Sequence, residues 1–142
     1  MNERGIPVAT RSEARGIATA IRAAKFQQAN DVLTEGIAML ARDTRPRMPG
    51  EDALWKYKRG LARAMLGQAD AARADLRGAT GPDSMPWVQG RARVELGTLA
   101  LKTGDRKAAL NEAQQATTLC AAGHDPICSE DARELARKAN GR

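Results

Sequence analysis

The chain has 142 residues, of which 42% are hydrophobic and only 3% aromatic; this suits one domain with a modest core. Alanine is abundant and residues that favour strands are sparse, which argues against a sheet-based fold and for an all-α one. The formal charge of +6 is evenly spread, with eight basic and five acidic residues over positions 1–50, six and five over 51–90, and nine and seven over 91–142, so there is no basic tail. Such a surface favours acidic partners and permits weak contact with nucleic acid. No apolar run reaches the ~20 residues needed to cross a bilayer, and the opening Met1-Asn-Glu-Arg-Gly-Ile-Pro7 lacks the apolar stretch of a leader. As written, the sequence reads as a chain that does not insert into membranes. It would be cytoplasmic as it stands, and periplasmic or secreted if a leader had been removed and its cysteines bridged.

Periodicity and punctuation predict about seven helices. The first spans Arg11–Ala24, with Thr10 or Ser12 as N-cap and Ile17 and Ile21 on one face. The second spans Phe26–Arg42, where Phe26, Ala29, Leu33, Ile37 and Leu40 form a stripe. Thr44-Arg-Pro-Arg-Met-Pro-Gly50 interrupts the pattern, because two prolines and a glycine cannot sit inside a helix without cost. A third helix, Glu51–Leu66, opens with acids that suit a helix N-terminus and stops at Gly67, a left-handed cap. A fourth, Ala69–Thr80, ends in Gly81-Pro-Asp-Ser-Met-Pro86. The fifth and sixth, Trp87–Lys102 and Arg106–Cys120, are joined by Thr103-Gly-Asp105. A last helix covers Glu130–Asn140, with Ser129 as N-cap and Ala132, Leu135 and Ala136 as a thin apolar stripe.

Two stretches match each other: Gly60-Leu-Ala-Arg-Ala-Met-Leu-Gly-Gln-Ala-Asp-Ala-Ala72 and Gly97-Thr-Leu-Ala-Leu-Lys-Thr-Gly-Asp-Arg-Lys-Ala-Ala109, each followed by a further alanine, Ala79 and Ala116. The small residue, the turn glycine (Gly67, Gly104) and the two alanines stand in the same order in both. This spacing resembles the tetratricopeptide repeat. Units of about 53–81 and 90–119 carry the resemblance, a weaker one lies over 11–41, and the last helix resembles the cap that covers the open end of such arrays. The implied fold is a right-handed α–α superhelix of helical hairpins, at 11–42, 51–80 and 87–120, with a capping helix at 129–140 in a single 1–142 domain. Short side chains allow antiparallel helices to cross closely, so Gly60 is expected to face Ala72, and Gly97 to face Ala109. The pattern is divergent: Lys56 and Arg93 hold the position of the large aromatic, with Trp55 and Tyr57 on either side of Lys56. Arg63 replaces another aromatic, the closing prolines are displaced to Pro82 and Pro126, and Gly60 and Gly97 lie further apart than the usual ~34 residues.

Nothing in the sequence encodes familiar catalysis. The only histidine is His124, no phosphate loop, nucleophile elbow or His-Glu-x-x-His pair occurs, and the acids Glu51-Asp52 and Glu130-Asp131 sit at helix starts, where the dipole accounts for them. The chain reads as a non-enzyme with no cofactor and no metal. Cys120-Ala-Ala-Gly-His-Asp-Pro-Ile-Cys128 admits three readings. The cysteines form a disulfide that pins the last helix, or they are two buried thiols in a reducing compartment, or they join His124 and Asp125 in a metal site of unusual spacing.

In tetratricopeptide arrays the first helix of each unit lines a concave groove that receives a peptide or helix of a partner. The resemblance therefore implies a protein-binding scaffold with Ala14, Ala18, Ile21 and Arg22 in the first unit, Leu54, Tyr57, Lys58, Leu61 and Met65 in the second, and Arg91, Val94, Glu95, Thr98 and Lys102 in the third. Apolar contacts edged by basic residues suit a segment of acidic character. Leu61 and Thr98 replace the asparagines with which chaperone-binding members hold a terminal carboxylate, so that ligand is not expected. A basic groove for nucleic acid is the alternative, although acids interleave through most helices and stacking aromatics are scarce. Self-association through the open end is a further expectation.

Overall fold

A computed structural model describes residues 11–141 of the protein, with side chains from Thr19 onward. All secondary structure among these residues is helical: α1 (Arg11–Arg42), α2 (Glu51–Met65), α3 (Ala69–Gly78), α4 (Pro86–Lys102), α5 (Arg106–Ala122) and α6 (Pro126–Ala139). None is long and apolar enough to cross a membrane. Of the candidate residues, Thr10 lies outside the described chain, and the side chains of Ala14, Ile17 and Ala18 lie outside the described set.

The expected first hairpin is absent. Positions 11–42 form one 32-residue helix, because Ala24-Lys25-Phe26 contains neither glycine nor proline and nothing in it disfavours continuing the backbone hydrogen bonds. This is why the described residues form six helices rather than seven. The last helix also differs from expectation. It starts at Pro126, and its N-cap is Asp125, whose side chain accepts a hydrogen bond from the Cys128 N–H at 3.2 Å. Proline at the first helical position needs no hydrogen-bond partner for its nitrogen, so Asp125-Pro126 outcompetes Ser129 as the start.

The turns follow local backbone chemistry. Gly67 and Gly104 adopt φ of 77° and 81°, a left-handed conformation that costs glycine little. Around each, a paired hydrogen-bond pattern ends the preceding helix: Gln68 N–H to Arg63 O with Gly67 N–H to Ala64 O, and Asp105 N–H to Ala100 O with Gly104 N–H to Leu101 O. This is the Schellman arrangement. It recurs after α5, where Asp125 N–H donates to Cys120 O and His124 N–H to Ala121 O. There the left-handed residue is His124, at φ 52°.

Each helix packs on the next, and α2 also meets α4 while α4 meets α6; among the described helices α1 contacts only α2. The core has three parts. Tyr57, Ala72, Leu76, Ala79, Val88, Ala92, Leu96 and Leu99 join α2, α3 and α4. Val94, Ala116, Cys120, Cys128 and Ala132 join α4, α5 and α6. Ala109, Ala113, Leu135 and Ala139 close α5 on α6. Because α4 contributes to two of these clusters on different sides, it buries residues around most of its circumference and shows no single apolar stripe.

The glycine crossings are tight, but their partners are not all the expected ones. A Cβ built on Gly60 would lie 2.8 Å from Cγ of Leu76 and 3.3 Å from Cβ of Asp75, so Gly60 faces the residues one turn beyond Ala72. At Gly97 it would lie 3.3 Å from the Ala109 carbonyl oxygen, 3.1 Å from Cβ of Glu112 and 2.4 Å from Cδ2 of Leu135.

Polar bonds between helices supplement this packing. Asp75, buried on α3, is held by Arg59 (Nε–Oδ2 and Nη2–Oδ1, both 2.7 Å) and by Arg63 (Nη1–Oδ2, 2.9 Å) from successive turns of α2. Arg63 also donates to Asn30 Oδ1 of α1 at 2.9 Å. The departures from the repeat pattern at Arg63 and Arg93 thus have structural partners, Arg93 pairing with Glu112 of α5.

Candidate partner-binding face

The face shared by α2, α4 and α6 is organised by one chain of contacts. Tyr57 of α2 meets Trp87 of α4 edge-on, with ring centroids 6.4 Å apart and planes at 85°, an arrangement that suits the opposite charge of ring edge and ring face. The Arg91 guanidinium lies over the Trp87 ring, 5.7 Å from its centroid, and reaches Asp125 at the start of α6 with two bonds, Nε–Oδ2 at 2.6 Å and Nη2–Oδ1 at 3.0 Å. Arg91 holds the Asp125 carboxyl below its ordinary range, helped by the N–H groups of Cys128 and Ile127. The hydrogen bond to Asp125 in turn raises Arg91. Burial pushes the Tyr57 hydroxyl up, with Glu95 adding to the shift.

Beside this chain, α4 and α6 enclose a groove of about 450 Å³ lined by Val94, Glu95, Thr98, Leu101 and Lys102 on α4, and by Asp131, Glu134, Leu135 and Lys138 on α6. Its floor is apolar and its rim charged. Burial raises the Glu95 carboxyl, Asp131 raises it further and Lys102 opposes both. Thr98 donates its hydroxyl hydrogen to the Val94 carbonyl at 2.9 Å, which leaves its methyl as part of the lining.

Four of the residues assigned to partner binding, Val94, Glu95, Thr98 and Lys102, thus line one groove. Lys58 and Met65 are exposed on α2, and Leu61 packs against the first core cluster. Tyr57 is a core residue at 7% exposure, and Arg91 is engaged with Asp125 and Trp87. Arg22 is exposed on α1 and is not among the residues that line the groove. The α6 wall was missed because that helix reads as a cap. Its signal was the charged stretch Glu130–Lys138, interrupted by Ala132, Leu135 and Ala136.

Cys120 and Cys128 form a disulfide across the α5–α6 turn, with Cα atoms 5.4 Å apart and both residues fully buried. Neither is a free thiol. With each sulfur bonded to the other, neither is a thiolate donor for a metal, so two of the three readings fall away. Compared with known proteins, the chain matches no family model, no curated protein and no solved structure.

Proposed function

We propose that the chain is a divergent tetratricopeptide-like scaffold that binds a peptide or helix of another protein along the face of α2, α4 and α6. The contacts of α2 with α4 and of α4 with α6 support the reading, since the first helices of successive repeat units meet in this way. The observation that carries it is the α4–α6 groove, whose α4 wall includes Val94, Glu95, Thr98 and Lys102, four residues that the repeat resemblance assigns to the concave side. An apolar floor with a charged rim suits side chains of a helical or extended segment. Lys102, exposed at the groove, and Lys58, exposed on α2, meet the partner's acidic residues. Arg91 does not, because its guanidinium is held by Asp125.

The test uses the full chain as bait against a displayed library of random peptides. Peptides that compete with one another should be recovered, and Thr98→Arg, which fills the groove, should weaken them at least tenfold while Arg133→Ala on the exposed side of α6 leaves them unchanged. Equal binding by both variants would defeat the reading. Binding to mixed oligonucleotides that weakens steeply with salt would favour the nucleic-acid alternative instead.

A further inference from the structure

The outer side of α1 carries exposed apolar residues and, among the described residues, packs against no other helix. Residues of α1 that meet α2 and its flanking loop lie on one side, through Asn30–Arg63, Thr34–Arg59, Gly36 against Trp55, and Leu40–Arg47. At 100° per residue, Ile21, Val32 and Met39 fall within 20° of a single line outside that arc, and they are 51%, 57% and 62% exposed, with Met39 also bordering the cleft against Glu51 and Trp55 of α2. Exposed Lys25, Gln28 and Glu35 complete that line. The steps between the six residues are four, three, four, three and four, the spacing of a coiled-coil seam.

We propose that this seam pairs two copies of the chain through an antiparallel α1–α1 contact with its twofold axis at Asn30. The observation is the sequence symmetry of the seam about that residue. Turned end for end, Ile21 meets Met39 of the second copy, apolar against apolar, and Lys25 meets Glu35, cation against anion, while Gln28 lies beside Val32 with its aliphatic stem in the central layers. The axis generates each pairing twice. No other nearby register of the seam gives both matches: moving the axis by one layer sets Lys25 against an apolar residue. Ala24, exposed beside the seam, lets the two backbones approach. A second copy is the occupant that the self-complementarity selects, since an isologous interface must match its own reverse. It also explains how the half of α1 before Phe26, whose side chains from Thr19 to Lys25 are all exposed, persists as a helix: helices of that length need packing to hold them in water.

Sedimentation velocity on the full chain at 5 to 200 µM tests this, with far-UV circular dichroism to confirm the fold. Wild type should be a dimer at the upper end of that range. Lys25→Glu alone, or Glu35→Lys alone, places like charges opposite each other in both symmetric pairs and should weaken the dimer by about tenfold or more. The double variant K25E/E35K restores the pairing and should restore the wild-type constant. Mixing Ile21→Cys chains with Met39→Cys chains should give a crosslinked heterodimer under mild oxidation, while Ile21→Cys alone gives none. A wild type that stays monomeric at 200 µM, single variants that dimerise unchanged, or a double variant that does not recover would each overturn the proposal.

Discussion

At Gly97 three helices come within a methyl group of one another. A Cβ there would press on Leu135 of α6 at 2.4 Å, on Glu112 of α5 at 3.1 Å and on a backbone carbonyl of α5 at 3.3 Å. Leu135 could swing aside, but the carbonyl belongs to a helix and cannot. Gly97→Ala should therefore destabilise the chain by about 2 kcal/mol, the cost of overpacking outweighing the ~1 kcal/mol that alanine gains over glycine inside a helix. Gly104→Ala is the informative comparison. Nothing lies within 4 Å of the added atom, yet φ is 81°, so its cost of about 1 kcal/mol is backbone strain alone. Urea unfolding of both variants separates the two causes: the first should disturb α4, α5 and α6 together, as read by amide exchange, and the second only the turn. A neutral or stabilising Gly97→Ala would mean that the crossing is looser than described.

At the scale of elements, the position of α6 depends on one covalent tie and one turn. Cys120 ends α5, Cys128 lies in the first turn of α6, and between them the backbone makes the Schellman turn at His124 and the Asp125 cap. Reduction should cost about 2 to 3 kcal/mol, as for other short disulfide loops, and the loss should be local: amides of α6 should exchange faster while those of α2 and α3 are unaffected. Thermal unfolding with and without reductant, followed by exchange mass spectrometry, measures both. How far the helices could be read from the sequence follows the same local logic. The ends at Gly67 and Gly104 were legible because a left-handed glycine marks them directly, and the 44–50 interruption because of its prolines. The break expected at Ala24-Lys25 rested on no such residue, only on a change of apolar stripe between Ile17-Ile21 and Phe26–Leu40, and the helix runs straight through. The start of α6 was misplaced because Asp125 and Ser129 both cap well in isolation, and only the proline after Asp125 decides between them.

At the scale of the whole molecule, stability comes from a succession of neighbour contacts rather than from one centre, as the three separate core clusters show. The groove was half legible for that reason. Four of its five α4 residues followed from the repeat resemblance, whereas Leu101, the α6 wall and the Trp87–Arg91–Asp125 chain depend on how distant helices meet, which spacing along one helix does not encode. That chain is the polar link from α4 to α6, and its contribution can be isolated. Asparagine at position 125 keeps the capping ability of aspartate while removing its charge, so Asp125→Asn probes the bond to Arg91. The Asp125 pKa is depressed in the folded chain below its ordinary 3.8. Its ionised form therefore adds stability at pH values above the unfolded value, and this contribution is lost as pH falls from there through the folded value. At pH 7 the variant should be less stable than wild type by about 1 kcal/mol, in line with a partly exposed charge-assisted pair. The two should converge as urea midpoints are measured at pH 5, 4 and then 3. Convergence would assign the difference to the carboxylate charge, and a gap unchanged at pH 3 would assign it to packing and cap geometry, leaving α4 and α6 joined by apolar contact alone.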